Sequence, residues 1–125
     1  MFITEIFTMA FRNTGSVMNK IAELNDNLRK HMWSPGRNKI VLTRGVCSLP
    51  LIEQMLLLKK VRNFNDFNKA NDPYKQHDFS RIEHNGINYC WKIDYYNETM
   101  DAGSDNPADE NITIRVLTIM RADEY

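Results

Sequence analysis

The chain has 125 residues and is poor in cysteine, glycine and proline. Cys47 and Cys90 lie far apart, and neither belongs to a CxxC pair. This spacing excludes a zinc site of that type and a disulfide framework, and we expect both thiols to be reduced and partly buried. No cluster of His, Cys, Asp and Glu has the spacing of a known metal motif, so no metal or cofactor is predicted.

The sequence also has no apolar run approaching the ~20 residues that span a bilayer. The opening segment "MFITEIFTMAF" is apolar, but it has no basic region before it and contains Glu5. These features differ from those of a signal peptide. We therefore expect a cytoplasmic protein that does not contact membranes.

Net charge is absent as well, because 16 Lys and Arg balance 16 Asp and Glu. The balance conceals an asymmetry, since residues 1–62 carry ten basic and four acidic residues, and residues 63–125 carry six and twelve. Such a dipole can steer a charged partner or favour self-association. The alternative is that these charges only solvate the surface.

The pattern of apolar residues predicts one α+β domain over residues 16–125, preceded by an N-terminal extension over residues 1–15. A helix is predicted from an N-cap at Ser16, with apolar residues at helical spacing. A short strand follows near residue 40, and a second helix begins after Pro50. We expect both amphipathic helices to cover one face of a three- or four-stranded, mainly antiparallel sheet.

Asn85-Gly86 is the strongest local signal, because both central positions of a type I′ hairpin turn need positive φ. This turn sets the register of the two strands around it. In that register Trp91 and Ile93 face the core, and His77 lies opposite Asp94. The apolar segment "ITIRVLTIM", residues 112–120, is predicted to be a strand inside the sheet.

Several longer motifs resemble a known family of short bacterial proteins, the domain of unknown function 3768. They follow one another as "VLTRGV" and "LP" within residues 41–50, "FNDFNKANDPYKQHDF" at 64–79, "WKIDYY" at 91–96, "GSDNPAD" at 103–109 and "RVLTIMRADEY" at 115–125. The likeness extends from about residue 20 to the C-terminus. Gln76 and Ser80 depart from the acid and the glycine that the family more often has.

The resemblance implies where such proteins occur but not which reaction they catalyse, because the family has no assigned reaction, cofactor or catalytic residue. Its members look like accessory products of bacterial chromosomes, plasmids and prophages. This context implies an interaction protein from a mobile element, for instance one that blocks a host defence complex of the CRISPR or restriction type.

An acidic surface is the predicted partner-binding site. A row of carboxylates can imitate a phosphate backbone and bind the basic groove of a nucleic-acid-binding protein or nuclease. Its residues are Asp94, Glu98, Asp101, Asp105, Asp109 and Glu110. The same acidity argues against direct nucleic-acid binding by the aromatic residues of "YCWKIDYY". A solvated loop with no partner is the alternative.

A small hydrolase or metal-dependent enzyme is the alternative function, and it would use Asp72, His77 and Asp94. Two carboxylates beside an imidazole form a general-base or hard-metal set. In the competing structural interpretation, Asp72 caps a turn before Pro73 and His77 pairs with Asp94 to close the hairpin.

Overall fold

The computed structural model describes the backbone of residues 13–125 and the side chains of residues 20–125. Its elements are helix α1 (Asn13–Lys30), strand β1 (Lys39–Leu42), the single-turn helix α2 (Arg44–Cys47), helix α3 (Leu51–Asn63), strands β2 (Phe79–His84), β3 (Ile87–Tyr96) and β4 (Ile114–Arg121), and a 3-10 turn (Ala122–Glu124). The predicted α+β class is confirmed. Helix α1 begins three residues before the predicted N-cap, and residues 1–12 of the predicted extension lie outside the described residues.

The predicted hairpin turn is present between β2 and β3. Asn85 has a φ of 53° and Gly86 a φ of 76°, the left-handed conformation that a type I′ turn requires at both positions. The register follows from this turn, with Ile82 opposite Tyr89 and Ser80 opposite Trp91. The predicted pairing of β2 with β3 is therefore confirmed.

The sheet has four strands in the order β1-β4-β3-β2. β4 pairs antiparallel with β3 and parallel with β1, so the mainly antiparallel sheet contains one parallel pair at its edge. The predicted inner position of the last strand is confirmed, because β4 has a neighbour on each side. Residues on both faces of β4 are buried, which explains why its sequence is apolar on both faces.

The hydrophobic core lies between one face of the sheet and the two longer helices. Alternate residues of β3 point into it, and Trp91 and Ile93 are buried as predicted. The core cluster consists of Leu28, Met32, Val46, Leu57, Leu58, Val61, Ile82, Tyr89, Trp91, Ile93, Leu117 and Ile119. Both helices contribute to this one cluster, as the predicted packing on one face requires.

The two cysteines differ in exposure. Cys90 is buried, and burial raises the pKa of its thiol. Cys47, the last residue of the single-turn helix α2, is exposed. The expectation of partial burial was therefore wrong for Cys47.

Helix α3 is only partly covered. Leu57, Leu58 and Val61 form its buried side, and four apolar side chains on its other side are exposed: Leu51, Ile52, Met55 and Leu56. No helix within the described part of the chain is long and apolar enough to cross a membrane.

Candidate functional site

Two polar side chains interrupt the buried face of helix α1. Asn25 and Arg29 are both buried, one helical turn apart and beside Leu28. The Arg29 guanidinium donates hydrogen bonds to the carbonyl oxygens of Val61 (2.8 Å) and Phe64 (2.9 Å). These carbonyls lie at the C-terminal end of α3, where a helix leaves acceptors without intrahelical donors. Arg29 therefore fixes the end of α3 against α1.

The rest of the Arg29 guanidinium contacts an acid and an aromatic ring. Asp26 accepts a hydrogen bond of 2.7 Å from it, one turn earlier on the same helix. The central carbon of the guanidinium, Cζ of Arg29, lies 4.7 Å from the centre of the Trp91 ring, within the range of a cation–π interaction. Burial lowers the pKa of Arg29, and the bond to Asp26 opposes that effect.

The segment before β2 is organised by Asp72. Its carboxylate accepts hydrogen bonds from the backbone N–H groups of Gln76 (3.0 Å) and His77 (3.2 Å). Lys75 and His77 have φ values of 57° and 55°, in the left-handed region. A non-glycine residue in this region costs roughly 1–2 kcal/mol. Asp72 therefore caps a strained turn, and the strain sets the direction of the His77 side chain.

His77 lies between two carboxylates. Its Nδ1 is 2.9 Å from Asp26 Oδ1, and its Nε2 is 3.6 Å from Asp72 Oδ2. The imidazole also stacks on the Phe67 ring, with centroids 3.9 Å apart and planes 4° from parallel. An Asp-His-Asp arrangement is therefore present, but its first acid comes from helix α1.

The predicted pair between His77 and Asp94 was wrong. β2 begins at Phe79, and the left-handed backbone at His77 turns its side chain away from the strand register. Asp94 instead forms a 2.9 Å ion pair with Lys92 on its own strand. The structure thus brings Asp72 and His77 together and leaves Asp94 in a different contact. Among the described side chains, no group of three or more His, Cys, Asp and Glu is arranged so that it could hold a metal ion.

A buried polar network joins this turn to the sheet. Asn25 donates to the Tyr95 hydroxyl (2.7 Å), and that hydroxyl donates to Asp78 (3.1 Å). The side-chain oxygen of Asn25 accepts a 2.8 Å bond from Arg115 on β4. Burial raises the pKa of Asp78, although the bond from Tyr95 lowers it. Burial also raises the pKa of Tyr95. These contacts hold helix α1, the turn and the sheet in a fixed arrangement.

A cleft of about 860 Å³ separates helix α1 from the segment 67–77. The Asp26, His77 and Asp72 side chains all contribute to its lining. Four lysines also line it: Lys20, Lys30, Lys69 and Lys75. The volume falls in the upper part of the range of about 300–1,000 Å³ typical of ligand pockets.

The acidic loop, residues 97–113, connects β3 to β4. The Asp101 carboxylate accepts hydrogen bonds from the Thr99 hydroxyl (2.7 Å) and the Asn97 amide (2.8 Å). These bonds lower the pKa of Asp101, with Thr99 the larger cause. Gly103 forms a bridge to Tyr96, which anchors the loop to the end of β3. The loop is therefore fixed by its own side chains.

The six residues of the predicted acidic surface differ in their contacts. Glu98 pairs with Arg37 at 3.4 Å, and both side chains are exposed. Asp109 accepts a bond from the backbone N–H of Asn111, whereas Asp94 and Asp101 have the contacts given above. Within the described side chains, Asp105 and Glu110 take part in no ion pair.

Comparison with models of known protein families gives a match. The model of the family described as "Protein of unknown function (DUF3768)" matches residues 42–124. The chain belongs to the DUF3768 family. No curated protein and no solved structure matches the chain.

The DUF3768 match begins inside β1 and ends in the 3-10 turn, so helix α1 lies outside it. The cleft therefore combines one wall inside the matched range, with Asp72 and His77, and one wall outside it, with Asp26 and Lys30. Sequence reasoning missed Asp26 and Arg29. Their signal was the polar pair Asn25 and Arg29 on the apolar stripe of α1, with Asp26 three residues before the arginine.

Proposed function

We propose that this DUF3768 protein is a non-enzymatic inhibitor or adaptor that binds a basic protein partner through its acidic surface. The observation that carries the proposal is the ordering of the acidic loop by its own side chains. Asp101 ties together Asn97 and Thr99, so the neighbouring carboxylates are held before any partner binds. A pre-ordered surface loses less conformational entropy on binding than a mobile one.

The proposed partner is a nucleic-acid-binding protein or nuclease of the cytoplasm. Carboxylates spread along a fixed loop present negative charge to a groove that normally holds phosphates. Asp105 and Glu110 are exposed and available for that role. The family's expected occurrence on mobile elements favours a partner from a host defence complex of the CRISPR or restriction type.

The test uses a charge reversal that leaves the loop intact. Glu98→Lys with Asp105→Lys changes two exposed acids, and the loop keeps Asp101. The control is Asp66→Lys with Glu83→Lys, which alters net charge equally at exposed positions outside the acidic surface. Proteins captured from the native host are identified by mass spectrometry at about 0.05 M and about 0.5 M salt.

We expect a basic protein that the wild type and the control capture at low salt and lose at high salt. The loop variant should bind it with an association rate at least about tenfold slower. If the captured protein is a nuclease, adding the wild-type chain should reduce its cleavage of nucleic acid. A complex that survives both the loop variant and high salt would refute the proposal.

The hydrolase alternative has less support from the geometry. A general base needs a ring nitrogen within reach of the substrate, but both nitrogens of His77 face carboxylates. Asp94, the third proposed member, contacts Lys92 instead. Asp72 receives backbone N–H groups, as a turn-capping residue does.

A further inference from the structure

The cleft between helix α1 and segment 67–77 is lined by lysines that the proposed function does not use. Its inner carboxylates are already compensated. Asp26 contacts Arg29 and His77, and Asp72 accepts backbone N–H groups. Glu23 pairs with Lys20 at 3.8 Å. These three acids of the lining therefore already have partners within the protein.

The lysines of the cleft are different. Lys30 on α1, and Lys69 and Lys75 on the opposite wall, form no ion pair with any described side chain. They are all exposed. Glu110, the remaining acid of the lining, forms no ion pair with a described side chain, and its charge acts on Arg115. Three ammonium groups from two walls thus face a shared space against a single carboxylate.

The backbone of segment 67–77 supports a binding role for that wall of the cleft. Lys75 and His77 both keep a left-handed conformation that non-glycine residues rarely adopt. Such strain persists where the surrounding contacts impose it, and it concentrates at ligand sites. Here Asp72 imposes it, and the result places Lys75 and His77 in the lining of the cleft.

We infer that the cleft binds a phosphorylated small molecule of nucleotide size. Lysine ammonium groups bind phosphate oxygens as point charges, and three of them match two or more phosphates. Leu24, Phe67 and Pro73 supply apolar lining for a ring. The volume of about 860 Å³ is far larger than a single phosphate requires. This inference does not rest on the partner proposed above, although Glu110 belongs both to the acidic surface and to the lining of the cleft.

The experiment measures binding of four probes by isothermal titration calorimetry: ATP, tripolyphosphate, adenosine and a ten-residue poly(dT). The cleft variant combines Lys30→Ala, Lys69→Ala and Lys75→Ala. Its control combines Lys39→Ala, Arg44→Ala and Lys59→Ala, which removes the same charge from exposed positions outside the cleft. A third variant, Glu110→Gln, removes the acid of the lining.

We expect ATP and tripolyphosphate to bind and adenosine to bind more weakly than ATP. The cleft variant should weaken ATP binding at least tenfold, the control less than twofold, and Glu110→Gln should tighten it. In the wild type, ATP should also shift the NMR signals of the His77 and Phe67 rings, a readout that does not depend on how the variants fold.

The small-molecule inference would be overturned if poly(dT) bound more tightly than ATP and the cleft variant lost that binding. The lysines would then bind the phosphates of a nucleic-acid strand. Failure of every probe to bind below about 1 mM, or equal weakening in the control, would also overturn it.

Discussion

Replacing Arg29 with methionine tests whether the buried guanidinium holds helix α3 in place. Methionine retains an unbranched stem against Trp91 but removes all donors. The carbonyls of Val61 and Phe64 then lose their bonds from Arg29, and Asp26 loses its 2.7 Å partner. Arg29 is only 1% exposed, so water reaches these groups poorly.

Hydrogen bonds from a charged donor contribute about 1.5–3 kcal/mol each, and Arg29 donates two of them to carbonyls at the end of α3. We therefore expect Arg29→Met to lower the free energy of unfolding by about 3–5 kcal/mol. That is a large part of the roughly 5–15 kcal/mol of an ordinary domain. The main uncompensated loss is at the end of α3, because Asp26 keeps His77 as a partner.

The assay is urea unfolding followed by far-ultraviolet circular dichroism, with the slope m compared between variants. Lys30→Met is the matched control, because Lys30 is the next residue of the same helix and is exposed. It should change stability by less than about 0.5 kcal/mol. A loss below about 1 kcal/mol for Arg29→Met at unchanged m would show that the guanidinium does not hold α3.

Two predictions concern pH. Hydrogen bonds from Thr43, and from the backbone N–H groups of Arg121 and Gly45, lower the pKa of Glu124, so its stabilisation is present above the ordinary value of 4.5 and is lost as pH falls through the lowered value. Glu124→Gln should therefore have a lower Tm than wild type at pH 7 and a similar Tm at low pH; an equal deficit at both would refute this. Burial raises the pKa of Asp78 above its ordinary value of 3.8. Ionisation of Asp78 therefore destabilises the fold as pH rises from 3.8 to the raised pKa. Asp78→Asn should have a higher Tm than wild type at pH 7 and lose this advantage below pH 3.8; a lower Tm at pH 7 would contradict the burial effect.

The hairpin could be predicted because its determinants are local. Asn85-Gly86 selects the turn, and the turn fixes every pair up to Phe79 and Lys92. The prediction failed two residues earlier, at His77. Left-handed backbone at a histidine carries no reliable sequence signal, since glycine is the usual residue there. The register therefore could not be extended to His77 and Asp94.

The candidate site was predictable only in part, for a similar reason. The proximity of Asp72 and His77 follows from their short separation and from the turn that Asp72 caps. The pairing of His77 with Asp26 joins positions 51 residues apart, and no local pattern encodes that distance. The parallel pairing of β1 with β4 could not be predicted either, because it joins strands that are far apart in the sequence.

That parallel pair also determines when the protein can fold. Its partners lie far apart in the sequence, such as Lys39 with Val116. Because the ribosome makes β1 before β4, β1 has no neighbouring strand until β4 has been synthesised. Closing so large a loop is slow. The sheet is therefore completed only once β4 has been made, and a chain interrupted before β4 exposes the β3 edge that β4 would cover.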